Sequence, residues 1–217
     1  MTELLLKVVA SYFVGALIGS LIVGRLRGGV DIRTLGSGNA GGTNALRTQG
    51  KWFALCVMIV DVGKGILAAA VIPGLALPGV APDPELDPSI LVYAVAFAAI
   101  VGHVFPVWFG FRGGKGGATA AGLLVYLSPS LALPILGAWL LIVVLTGYVG
   151  LATISAATAA VVYVGVSRLP EEPGLFAFAC ATSALLIFAH RGNIKRMLNG
   201  TESRFARPVW ARLTGGK

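Results

Sequence analysis

The sequence predicts an all-α polytopic membrane protein of seven transmembrane helices, with its N-terminus outside and its C-terminus cytoplasmic. Three observations predict this class. Mean hydropathy is +0.85; 56% of the 217 residues are apolar and only 12% charged, where a soluble domain carries about 25% charged residues. The apolar residues run in windows close to the roughly 20 residues that a helix needs to cross the hydrocarbon core. The positive charge sits between those windows, in three basic, glycine-rich segments at 25–51, 111–117 and 190–217.

Residues 4–24 form the first expected helix, interrupted only by Lys7, which can snorkel near a helix end. The run exceeds the roughly 7–15 apolar residues of a signal peptide, and its positive charges follow rather than precede it, so it reads as a retained helix. The second helix, 52–73, carries Asp61 and Lys64 at i, i+3, where they can pair on one face. That pair is either a structural ion pair or a way to place Lys64 in a cavity. The acidic, proline-rich stretch 78–88 reads as an external loop. The third helix, 89–110, contains His103 ahead of Pro106, as hydrogen-bonded structure or as an intramembrane functional group. The fourth, 117–128, is short. Pro129 and Pro134 bracket its junction with the fifth, 131–147, so the two form a broken or steeply tilted hairpin. Helices 150–167 and 174–190 complete the set, the last ending at His190. No internal repeat or low-complexity stretch occurs, and the whole chain reads as a single membrane-embedded domain.

Seven spans put segments 25–51, 111–116, 147–150 and 191–217 on one side. These hold every Lys and Arg except Lys7, Lys64 and Arg168, which is 14 of 17. Six of the nine acids fall on the other side: Glu3, Asp83, Glu85, Asp87, Glu171 and Glu172. The positive-inside rule makes the basic side cytoplasmic. An even number of spans would split the three basic segments between two sides. A five-span chain lacking the 117–147 hairpin keeps the same sidedness.

The net charge of +8 suits anionic lipid head groups and phosphorylated substrates. Nucleic acid is a poor partner, because little aqueous domain remains to hold a duplex. Cys56 and Cys180 fall inside apolar helices with no ligand or disulfide spacing and read as small buried residues. No His, Cys and carboxylate cluster has metal-ligand spacing, and no cofactor is expected.

Three segments carry the candidate chemistry. In 36–51, GSGNAGGTNALRTQGK, glycines let backbone N–H groups converge on an anion; Ser37, Gly38, Asn39, Thr43 and Asn44 add donors. Arg47 can grip phosphate as a fork and Lys51 as a point charge. The bland alternative is a flexible interhelical loop. In 112–116, RGGKG, Gly113, Gly114, Lys115 and Gly116 open the helix at 117, where backbone donors and the helix dipole favour an anion. This is not a Walker loop, since GxxxxGK[ST] is absent and no strand precedes it; the alternative is a positive-inside turn. In the third segment, His190 lies beside Asn193 and Lys195, and its ordinary pKa suits a general base or a phosphate donor. Glu202 could cap a helix or orient a base. Arg204, Arg207, Arg212 and Lys217 read as contacts to anionic lipid.

GSGNAGGTNALRTQGK at 36–51, DVGKG at 61–65, GHVFPVWFGFRGGKGGATA at 102–120 and HRGNIKRMLNGTE at 190–202 together resemble the bacterial acyl-phosphate:glycerol-3-phosphate acyltransferase (PlsY) family, across essentially the whole chain. The resemblance implies transfer of an acyl group from acyl phosphate to the 1-hydroxyl of sn-glycerol 3-phosphate. The products are 1-acylglycerol 3-phosphate and phosphate, the first acylation of phospholipid synthesis in the bacterial inner membrane. It implies no acyl-CoA or acyl carrier protein as direct donor and a soluble acyl-phosphate-forming enzyme as a partner. The family lacks an H-x4-D motif, and here His103 and His190 are followed at i+5 by Trp108 and Lys195. By the same resemblance Ser37, Asn39, Thr43, Asn44 and Arg47 form a first phosphate region and Lys115 with its glycines a second. Lys64 lines the cavity, and His190 and Asn193 position the nucleophile. Where the family's 148–153 junction usually reads like YVSLxS, this chain has Gly150 and retains only the second hydroxyl, as Thr153.

Two other classes compete. A transporter of a phosphorylated solute would bind near the bilayer midplane between repeated halves, whereas these polar residues crowd one interface and no repeat is evident. A purely structural membrane protein has no need of serine, asparagine and lysine in three glycine-rich loops.

Overall fold

The computed structural model describes residues 1–205. Among them the chain is helical throughout, with ten α-helices and no strand. Two compact units divide it, one from Met1 to Tyr126 and one from Leu127 onward.

In the first unit, α1 (Thr2–Gly15) and α2 (Gly19–Leu26) occupy the first apolar run, with a 45° bend between them. A single helix over 4–24 was the expectation; the chain instead breaks at residues 16–18. The break leaves backbone groups without helical partners. Two side chains of α4 (Lys51–Val71) take them: Asp61 Oδ1 accepts from the Gly19 N–H at 3.0 Å, and Lys64 Nζ donates to the Leu17 carbonyl at 2.7 Å. Lys7 does not snorkel. It is buried, pairs with Glu3 at 2.7 Å and donates to the Pro73 carbonyl at 2.6 Å.

A short helix α3 (Gly42–Gln49) lies inside the first basic segment, where the sequence suggested only loop. The α5 helix (Pro88–Val104) starts with Pro88 in its first turn, and Asp87 caps it by accepting the Ser89 N–H. Proline is tolerated there because its missing N–H would lack a partner anyway. It ends six residues before the expected boundary, because Pro106 keeps the preceding residues out of helical geometry. The short α6 (Gly117–Leu127) follows. Helix α1 crosses α5 closely: a Cβ at Gly15 would strike the Ala99 backbone, and one at Gly102 the Tyr12 carbonyl.

In the second unit, α7 (Ala132–Thr146), α8 (Val149–Ser167) and α9 (Pro173–Ala189) pack in sequence, each within two residues of expectation. Gly147 closes α7 in the left-handed region, φ 75°, donating its N–H to Val143 O at 2.7 Å. Helix α10 (Arg191–Leu198) bends 54° from α9 and lies against α8 and α9. By length and composition four helices can cross a membrane, or six if each bent pair counts as one span. At 11 residues, α6 falls well short of the roughly 20 residues a span needs.

Candidate active site

Asn44, buried at the start of α3, organises the first loop. Its Nδ2 donates to the carbonyls of Ile32, Leu35 and Asn39 at 2.9–3.0 Å, and its Oδ1 accepts the Ser37 N–H at 2.9 Å. The amide therefore shapes the loop from inside. Ser37, Gly38, Arg47 and Lys51 are exposed on it, and Asn39 and Thr43 half-buried. Lys51 Nζ lies 5.5 Å from the Trp52 ring centroid.

Arg33, in sequence one cytoplasmic charge among 14, has a structural role. Its guanidinium forks onto Asp31, with Nη2 to Oδ2 at 2.7 Å, and reaches the carbonyls of Phe109 and Arg112, each at 3.3 Å. It thus latches the first glycine-rich loop to the second. The hydrogen bond to Arg33 holds the Asp31 carboxyl below the usual carboxylate range, and the same bond raises the guanidinium.

Gly113 and Gly114 fold back on the end of α5, their N–H groups donating to Val104 O at 3.3 Å and His103 O at 3.1 Å. A Cβ at Gly113 would meet the His103 carbonyl and Pro106, and one at Gly114 the His103 ring. Gly116 accepts the first helical bond of α6, from Ala120 at 2.8 Å, and Lys115 between them is half-buried.

Beneath this loop Asp61, Lys64 and His103 form a buried cluster, 1%, 6% and 3% exposed. Lys64 Nζ lies 3.0 Å from Asp61 Oδ1 and 2.8 Å from His103 Nδ1, and Asp61 Oδ1 is 3.4 Å from that same nitrogen. The expected Asp61–Lys64 pair therefore exists, and it includes the histidine.

In the second unit His190 ends α9, buried, with Nδ1 2.8 Å from Leu186 O. A carbonyl only accepts, so Nδ1 carries a proton. Asn193 is buried and donates Nδ2 to Glu202 Oε1 at 2.6 Å, while Arg196 Nε donates to Glu202 Oε2 at 2.6 Å. Glu202 thus orients an amide rather than a base. Thr153 bonds back to Val149 O at 3.0 Å. A Cβ at Gly150 would come within 3.1 Å of Asn193, so glycine here leaves the amide its room. Arg204 lies 4.8 Å from the Tyr148 ring centroid, and Phe205 N donates to Gly147 O at 2.8 Å, drawing the 200–205 segment back over the α7–α8 junction. Arg207, Arg212 and Lys217 lie outside the described residues. Among the described residues no three His, Cys, Asp or Glu side chains gather to hold a metal ion.

Residues 5–200 match the family model described as glycerol-3-phosphate acyltransferase. The chain belongs to that family. The glycerol-3-phosphate acyltransferase of Chlorobium phaeobacteroides (strain BS1) is 37% identical, covering 94% of this chain and 97% of its own. That of Chlorobaculum tepidum is 36% identical, covering 95% and 98%. Among solved structures, the glycerol 3-phosphate form of PlsY (YgiH), an integral membrane glycerol 3-phosphate acyltransferase, aligns with TM-score 0.79 at 32% identity over 99% of both chains. Its lysophosphatidic acid form aligns with TM-score 0.78 at 34% identity over 94% of this chain and 95% of that one. As a member of the family this chain is a multi-pass membrane acyltransferase.

Proposed function

We propose that this chain transfers an acyl group from acyl phosphate to the 1-hydroxyl of sn-glycerol 3-phosphate, giving lysophosphatidate and inorganic phosphate. The observation that carries this reading is the latched pair of glycine-rich basic loops. Both substrates bear phosphate, so the reaction needs two anion sites, and Arg33 ties two such loops side by side. The solved relative in glycerol 3-phosphate and lysophosphatidic acid forms supports the acceptor and the product.

Acyl phosphate is already activated, so no covalent enzyme intermediate is required. The glycerol oxygen bonds to the acyl carbon, the bond from that carbon to the phosphate oxygen breaks, and phosphate leaves with the electron pair. Lys115 stabilises the developing oxyanion and the leaving phosphate; the Gly113 and Gly114 N–H groups, expected as anion donors, are instead committed to the Val104 and His103 carbonyls and shape the loop. Ser37, Asn39, Thr43 and Arg47 hold the other phosphate, with Asn44 keeping their loop in shape. Asn193 and His190 position the hydroxyl, whose proton passes to a substrate phosphate with His190 Nε2 assisting. An apolar groove of about 720 Å³ along α8, lined by Ile154, Ala159, Val162 and Val166, offers the kind of surface an acyl chain needs. The reaction belongs on the cytoplasmic face of the inner membrane as the first acylation of phospholipid synthesis, supplied by a soluble acyl-phosphate-forming enzyme.

The test is phosphate release from synthetic palmitoyl phosphate by purified protein in detergent, with and without glycerol 3-phosphate. Release should depend on glycerol 3-phosphate and match the lysophosphatidate formed. Lys115→Ala should cut kcat about 10²–10³-fold, the usual effect of losing one oxyanion donor, with helicity retained. Bound glycerol 3-phosphate with no transfer from acyl phosphate or acyl-CoA would favour a transporter instead.

A further inference from the structure

The Asp61–Lys64–His103 cluster takes no part in the chemistry above, yet it touches the loop that carries Lys115. We propose that His103 is a positioning residue for that loop, its ring serving as a backstop against Gly114. The proposal rests on the reading of Lys115 as a substrate contact.

The geometry runs in one direction. An ammonium has three donors and no acceptor. Those of Lys64 go to Asp61 Oδ1 at 3.0 Å, Leu17 O at 2.7 Å and His103 Nδ1 at 2.8 Å. Nδ1 is therefore the acceptor, and the ring proton sits on Nε2. That fixes the ring and presents its far edge to the loop: a Cβ at Gly114 would fall inside the van der Waals envelope of Nε2, Cε1 and Cδ2. The His103 carbonyl holds the same residue from the other side of the peptide, accepting the Gly114 N–H at 3.1 Å. Lys115 is the next residue. The cluster also ties down the break between α1 and α2 through Gly19 and Leu17, so the loop is braced against the first span. A misplacement on the order of 1 Å costs about 10²-fold in rate, so a brace of this kind matters without touching substrate.

Three substitutions separate positioning from stability. His103→Asn keeps an acceptor where Nδ1 was, so Lys64 stays satisfied, but it removes the far edge of the ring. Its thermal midpoint in detergent should stay near that of the parent while kcat/KM for acyl transfer falls about 10–100-fold. Gly114→Ala should lose a similar factor by driving its methyl into the ring. In His103→Asn/Gly114→Ala the methyl fills the vacated space, so kcat/KM should exceed the product of the two single effects by about tenfold or more, the non-additivity expected of groups in contact. A second readout needs no catalysis: the rate at which an amine-reactive ester modifies Lys115, followed by mass spectrometry, should change in each single variant and return toward the parent in the double.

Effects that simply multiply, with Lys115 modified at the parent rate throughout, would overturn the proposal. So would a His103→Asn variant with full activity. If the single variants do not fold, comparison of Lys115 modification in the parent and the double variant decides. A folded double variant with parental rate supports the brace, and failure of the double variant to fold overturns it. Should Lys115→Ala retain full activity, the reading of Lys115 fails on its own, while the modification rates still decide whether His103 sets the loop.

Discussion

One amide, that of Asn44, holds together a loop whose other polar side chains are exposed or half-buried. It uses both its donor hydrogens and its oxygen on the backbone of residues 32–39. Replacing it with alanine leaves the part-buried Asn39 carbonyl and Ser37 N–H without their Asn44 partner, each a cost of about 1–3 kcal/mol, while the Ile32 and Leu35 carbonyls keep backbone partners in Leu35 and Gly38. Asn44→Ala should therefore lower stability in detergent by about 2–4 kcal/mol and depress activity more than Thr43→Ala does. Thermal unfolding and acyl-transfer assays on the two variants check this. From sequence alone Asn44 looked like one more donor among Ser37, Asn39 and Thr43. What distinguishes it is burial, which glycine-rich context conceals. The Asp61–Lys64 pair was legible because i, i+3 spacing is a local property of a helix. Its partner His103 lies 39 residues from Lys64, and no periodicity links them. Arg33 was counted as cytoplasmic charge, and only its reach to Phe109 and Arg112 reveals a latch.

At the scale of elements, the apolar runs located every long helix, because hydropathy reports burial in lipid or protein regardless of partners. It could not locate the break at residues 16–18, where no proline or charge interrupts the run. That break exists because α4 supplies a carboxylate and an ammonium for the freed backbone groups. Helices α3 and α10 were missed for the opposite reason. Both are polar, eight-residue elements, too short to hold as isolated helices, and they form because they dock on their neighbours. Packing of α1 on α5 depends on missing side chains, as is common where helices approach closely in membranes. Gly102→Val should force α5 away from the Tyr12 carbonyl and lower the unfolding free energy by about 1–3 kcal/mol or more, the usual cost of overpacking. Gly74→Val, where an added Cβ meets nothing within 4 Å, is the matched control. Equal thermal midpoints for the two variants would mean the crossing is looser than its geometry implies.

At the scale of the whole chain, the charge pattern makes a sharp statement about whether α6 crosses. Eleven residues rise about 16 Å, against a hydrocarbon core of about 30 Å. Length alone thus argues against a full span. Charge argues for one: if α6 turns back, every later segment changes sides, and the basic residues of 191–204 part from those of 25–51 and 112–115. The positive-inside rule favours keeping them together. Two exposed residues decide the matter. Glu85→Cys and Ser203→Cys, each placed in a Cys56→Ala/Cys180→Ala background, should label from opposite sides in right-side-out cells treated with a membrane-impermeant maleimide. Position 85 should react before lysis and position 203 only after it. Reaction of both before lysis would mean that α6 does not cross, that the tail is external, and that His190 and Lys115 face different compartments. In that case the acyltransfer reading of the third segment could not stand, because one glycerol 3-phosphate molecule cannot meet residues on two sides of a bilayer.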